Sequence, residues 1–158
     1  MKYRNKLVEK IEKFYIDVIE EFKEAELQIM ADSKFSSIFR KKDYDGNIRK
    51  LRLCKAQALE IEVEKDDADV NEDNTGEVIK RFERCLLIFN KVCDSYIQLQ
   101  LALKKKAEKK ELKFSEYKEI FNKVQDAREQ LNDALHELDM VYTDYAYDED
   151  DDDVYEFL

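Results

Sequence analysis

A single histidine, His136, holds the whole capacity of this chain for imidazole chemistry. A Ser-His-Asp or Cys-His arrangement needs that ring as its base, so either would have to be built on His136. In "NDALHELD", Asp133 precedes it at an acid-x-x-His spacing. Carboxylate-bridged metal bundles use Glu-x-x-His in this way, but they need the pair twice and two more inward carboxylates. Here the pair occurs once, and the long seams are apolar where the acids should be. A carboxylate/His metal-binding bundle is one reading of Asp133 and His136; a surface histidine is the other. No metal or other cofactor is expected.

The remaining catalytic vocabulary is thin. Phosphate-cradling loops need clustered glycines, and the only two, Gly46 and Gly76, are 30 residues apart. Cys54, Cys85 and Cys93 are odd in number and form no CxxC pair. Cys85 and Cys93 lie too far apart along one helix to bridge. They read as reduced core thiols of a cytoplasmic protein. Nothing places two of the 38 acids in a shared apolar pocket. The chain reads as a non-enzyme.

Charge is more informative. Asp144 to Leu158 holds eight acids and no base, while the other 143 residues hold 30 acids against 28 bases. The segment thus supplies most of the net charge of −10. Its acidic run (Asp148, Glu149, Asp150, Asp151, Asp152, Asp153) should self-repel and resist folding. Tyr145, Tyr147, Tyr155, Phe157 and Leu158 flank the run. Acids steer a partner and raise its on-rate, whereas aromatics fill pockets and slow its release. Residues 148–153 with Tyr155, Phe157 and Leu158 therefore read as a docking element for a protein with a basic surface. An acidic solubility tail is the alternative. Free nucleic acid is not an expected partner, because phosphate contacts need a basic footprint.

Two basic blocks oppose this acidity. Lys34 to Lys55 includes Arg40, Lys41, Lys42, Arg49, Lys50 and Arg52, and Lys104 to Lys113 has six lysines against two glutamates. The first block is a candidate basic patch, either for an anionic partner or for the chain's own tail. Glu60 to Glu77 reverses the sign with nine acids against Lys65. Acidic blocks also allow a nucleic-acid mimic that fills a groove on an enzyme, although here the acids cluster in loop and tail.

The elements that must position these groups are helices. The chain has no proline and is rich in Glu, Lys and Leu. Leu7, Ile11, Phe14, Val18 and Ala25 form a seam from Lys2 to Ala31, widened by Val8, Tyr15, Ile19, Phe22 and Ile29. Ser33 to Lys65 is a shorter, interrupted segment. It contains a turn signal at "DYDGN" and a seam of Leu51, Cys54, Ala58 and Ile61. "LEIEVE" alternates with a period of two, but helix is the reading favoured through Lys65. "DDADVNEDNTG" reads as a mobile acidic loop. Val78, Phe82, Cys85, Phe89, Val92, Tyr96, Leu99 and Leu103 then keep a strict coiled-coil heptad. After a basic connection, Ser115 is the expected cap of the last helix. That helix carries Tyr117, Phe121, Val124, Leu131, Leu135, Leu138, Tyr142 and Tyr145. Arg128 falls on the same seam, either snorkelling at an edge or in a register-setting ion pair.

The fold expected is all-α: an antiparallel bundle of three long helices plus the shorter segment over residues 1–145, with a flexible acidic-aromatic tail over 146–158. No apolar run reaches the length of a membrane span. The long seams leave a homodimer open.

Overall fold

A computed structural model describes residues 5–32, 42–72 and 74–147. Among these residues every element is a helix. The first rod is α1 (Lys6–Lys13), a π-helical turn (Phe14–Ile19) and α2 (Glu20–Asp32). Then follow α3 (Tyr44–Leu59), α4 (Thr75–Ala107) and α5 (Phe114–Ala146). The helices run up, down, up and down. Antiparallel order is fixed by Asn47 against Gln100 and Lys55 against Asp94 for α3 and α4, and by Cys85 against Ala134 for α4 and α5. Tyr15 against Asp139 and Glu26 against Arg128 fix it for the first rod and α5.

The core is an aromatic stack between the rod and α4. Phe14 meets Phe82 and Phe89 edge-on at 5.8 and 5.6 Å, and Phe22 meets Phe89 and Tyr96 at 5.3 and 5.8 Å. Edge-to-face geometry suits the ring quadrupoles. Both partners climb together in number, so these two helices run parallel across the bundle. The α4 heptad is buried from Val78 to Leu99, with Leu103 at its margin. Ile88, Cys93, Ile97 and Gln100 are buried as well, because α4 is enclosed on more than one side. Asn47 Nδ2 donates to Gln100 Oε1 at 3.0 Å, so two buried amides satisfy each other between α3 and α4.

Several local expectations change. "DYDGN" starts a helix: Asp43 is the N-cap of α3 and accepts from Gly46 N at 2.9 Å. α3 stops at Leu59, and residues 61–64 are non-helical. The alternation holds only past the helix end, with Ile61 turned into the core and Glu62 and Glu64 to solvent, while Leu59 is exposed. No strand pairs with it among the described residues; Lys10 Nζ donates to Glu62 O at 2.5 Å instead. The loop that follows is anchored. Asp67, 1% exposed at its side chain, accepts from Lys10 Nζ at 2.6 Å and from Glu64 N at 2.8 Å. Its carbonyl accepts from Leu7 N at 3.2 Å. Burial pushes the Asp67 carboxyl up, but those two donors outweigh it and hold it below the usual range.

Ser115 does not cap α5, which begins at Phe114 behind an extended Lys113 with no side-chain cap. The α4 end is closed by a Schellman motif. Lys110 N donates to Lys105 O, Lys109 N donates to Lys106 O, and Lys109 sits at φ 61°. Tyr147, which the seam left unexplained, packs edge-on against Tyr142 at 6.3 Å.

Candidate functional site

The up-down path brings the start of α3, the end of α4 and the start of α5 to one end of the bundle. Lys104 Nζ donates to Asp45 Oδ1 at 2.9 Å. That hydrogen bond and the Lys104 and Arg49 charges hold the Asp45 carboxyl below its usual range. The two basic blocks of the sequence thus meet around one carboxylate. Beyond it Lys105, Lys106, Lys109, Lys110 and Lys113 are exposed.

A groove of about 270 Å³ opens at this end, lined by Leu103, Lys106, Leu112, Phe114 and Tyr117. Phe114 is 77% exposed. Tyr117 stacks on Phe121, itself 38% exposed, with ring centroids 6.1 Å apart. Sequence periodicity put Tyr117 and Phe121 in the core seam. In the fold Tyr117 and Ile120 are half-buried against the core, full burial starts at Val124, and Phe114 and Phe121 turn their rings to solvent. Sequence spacing could not reveal this. The available signal was Lys113, Lys118 and Lys123 set among the aromatics.

The opposite end is acidic and polar. Tyr145, 1% exposed, accepts from Asn5 Nδ2 at 2.9 Å and from Thr75 Oγ1 at 3.4 Å, and donates to Glu72 Oε2 at 3.1 Å. Of the loop acids, Asp67 and Glu72 are therefore engaged internally. Glu62, Glu64, Asp66 and Asp69 are exposed.

Groups with catalytic potential are dispersed. Asp133 and His136 both lie exposed on α5. Among the described residues no three His, Cys, Asp or Glu side chains could hold one metal ion. Cys54, Cys85 and Cys93 are free and buried. Burial pushes the Cys54 thiol up to about 11 and the Cys85 thiol up to about 12. Three tyrosines donate to acids on other helices: Tyr15 to Asp139 at 2.6 Å, Tyr96 to Glu26 at 2.5 Å and Tyr142 to Glu12 at 3.5 Å. Burial and those carboxylates raise all three phenols, so each keeps the proton that it donates.

Of the sequence-derived candidates, Arg49, Lys50 and Arg52 are exposed on α3, and Lys42 is half-buried just before it. Arg40 and Lys41 lie outside the described residues. So do Asp148, Glu149, Asp150, Asp151, Asp152, Asp153, Tyr155, Phe157 and Leu158. No described helix is long and apolar enough to cross a membrane. No protein-family model, curated protein or solved structure matches the chain.

Proposed function

We propose that the chain is a non-catalytic protein–protein interaction module, an adaptor or a protein inhibitor working in the cytoplasm. The bundle is its scaffold, and the acidic-aromatic segment Asp148–Leu158 is its docking element for a partner with a basic surface. One observation supports the reading most. Among the described residues, exposed aromatic surface is concentrated at Phe114 and Phe121, with Lys106 lining the groove beside Phe114 and Lys113, Lys118 and Lys123 exposed nearby in sequence. Apolar side chains rimmed by charge are the anatomy of a recognition surface.

Affinity purification from the native host, followed by a mass measurement of the complex, tests the reading. A protein partner should co-purify, and removal of residues 148–158 should weaken its binding most at low salt. Equal binding by full-length and shortened protein at low salt would remove the segment from the function.

A further inference from the structure

We infer that the lysine-rimmed groove at the α4–α5 end receives Asp148–Leu158 of a second copy, so that the protein associates with itself head to tail. The inference rests on the reading of that segment as a docking element and names its partner.

Charge and shape agree. The groove offers Leu103, Leu112, Phe114 and Tyr117 as apolar walls, with Lys106 on its lining. Lys105, Lys109 and Lys113 stand exposed beside it. The segment offers six consecutive acids followed by Tyr155, Phe157 and Leu158. Acids facing lysines and rings filling an apolar groove are complementary in kind and in order.

Reach decides between the chain's own groove and that of a neighbour. α5 has 33 residues, so Phe114 and Ala146 stand roughly 50 Å apart at 1.5 Å per residue. Leu158 lies 11 residues beyond Tyr147. Fully extended, those residues span at most about 36–40 Å. Counted from Ala146, Leu158 comes at most to the near edge of the groove at Tyr117, and the acids, ending seven residues on at most about 25 Å away, cannot meet the groove lysines of their own bundle. A second molecule stacked end to end places its groove beside the segment. Such a contact is heterologous: each copy keeps one donor and one acceptor end, and assembly continues until it closes into a ring or is capped.

Two full-length variants test this. One alters the segment (Tyr155→Ser, Phe157→Ser and Leu158→Ser together). The other alters the groove (Phe114→Ser with Lys106→Glu), and both groove positions are solvent-facing. Sedimentation and light scattering should show wild-type protein growing in mass with concentration. The growth should collapse as salt rises from about 0.1 M to about 1 M, where screening shortens from ~10 Å to ~3 Å. Each variant alone should associate at least about tenfold more weakly. Mixed in equal amounts they should form dimers and nothing larger, because only one working interface remains.

Wild type that stays monomeric, a groove variant that associates like wild type, or a mixture that forms no dimer would each overturn the inference. Monomeric wild type that sediments with phosphatidylglycerol vesicles through Phe114 and Lys106 would make the groove a membrane surface and overturn it too. Monomeric wild type whose segment variant loses a co-purifying host protein would overturn self-association while leaving the proposed function standing.

Discussion

Arg128 and Glu26 join α5 to α2 as a two-pronged ion pair, Nε to Oε2 at 2.7 Å and Nη2 to Oε1 at 3.2 Å. The side chains are 22% and 13% exposed. The guanidinium also donates to Asn132 at 2.5 Å and lies 5.6 Å from the centre of the Phe22 ring. Of the two readings of Arg128 on an apolar seam, the ion pair is the one realised. Forked geometry, ring contact and a second donor to Glu26 from Tyr96 offset much of the desolvation cost.

Removing one partner leaves the other charge stranded. Arg128→Ala should cost about 2 kcal/mol, less than the ~3–5 kcal/mol of a fully buried pair because water still reaches the guanidinium. A double-mutant cycle with Glu26→Gln should return about 1 kcal/mol of coupling in urea unfolding. Strictly additive effects would show that the pair is decorative.

The two populations of aromatics should separate cleanly. Phe22→Ala or Phe89→Ala opens a cavity in the stack and should cost about 3–5 kcal/mol. Phe114→Ala changes a solvated ring and should stay within about 0.5 kcal/mol. Thermal denaturation of the three variants checks this. A large loss at Phe114 would contradict the exposure of that face.

Lys109 holds a left-handed conformation that glycine adopts without strain. Lys109→Gly should stabilise by about 1 kcal/mol, raising Tm by about 2–4 °C. An unchanged or lowered Tm would contradict the Schellman closure of α4.

Gly46 and Asp43 should be coupled. A Cβ at Gly46 would run into Asp43 Oδ2, the oxygens that cap α3 being packed against that α-carbon. In wild type, Gly46→Ala should change stability by only a few tenths of a kcal/mol, since displacing the cap offsets the better helix propensity. In an Asp43→Ala background, where there is no cap to displace, the same change should gain about 1 kcal/mol. Equal effects in both backgrounds would refute the coupling.

Alkali should weaken the fold through its thiols first. The folded Cys54 and Cys85 thiols titrate near 11 and 12 against an ordinary value of 9.0, because burial disfavours the thiolate. A raised folded value means the stabilisation is complete below about pH 9 and is lost as pH climbs through the folded values. Urea midpoints should be flat to about pH 9 and then fall. Native thiols should also resist a disulfide reagent until the chain unfolds, and rapid labelling of native protein would contradict their burial.

Much of the bundle was legible because helical burial repeats in sequence. Leu7, Ile11, Phe14, Val18 and Ala25 are all buried, as is the α4 heptad up to Leu99. What stayed hidden depends on partners far along the chain. Past Leu59 the chain leaves the helix where Lys10 holds Glu62 O and Asp67 holds Glu64 N, and no local rule links residue 10 to residue 67. The π turn at Phe14–Ile19 takes an extra residue into the helix, and Phe14, Val18 and Phe22 are buried at successive spacings of four around it. The groove at Phe114 was invisible for a different reason. Tyr117 and Phe121 both continue the seam, and only the packing of the bundle shows that Tyr117 is half-covered while Phe121 is exposed. The meeting of both basic blocks at one end follows from the up-down path, which must be known before charge blocks can be placed relative to each other.

The hydrogen bond from Asn5 to Tyr145 nearly closes the described chain into a ring. Residues 140 apart in sequence are in contact, so a short linker between the two ends would cost little loop-closure entropy. The order of helices around the ring, more than the place where the chain is cut, then specifies the fold. A circular permutant reopened between Ala107 and Phe114 should assemble the same bundle. It would carry its new ends at the lysine-rich pole and leave the Tyr145 pole seamless.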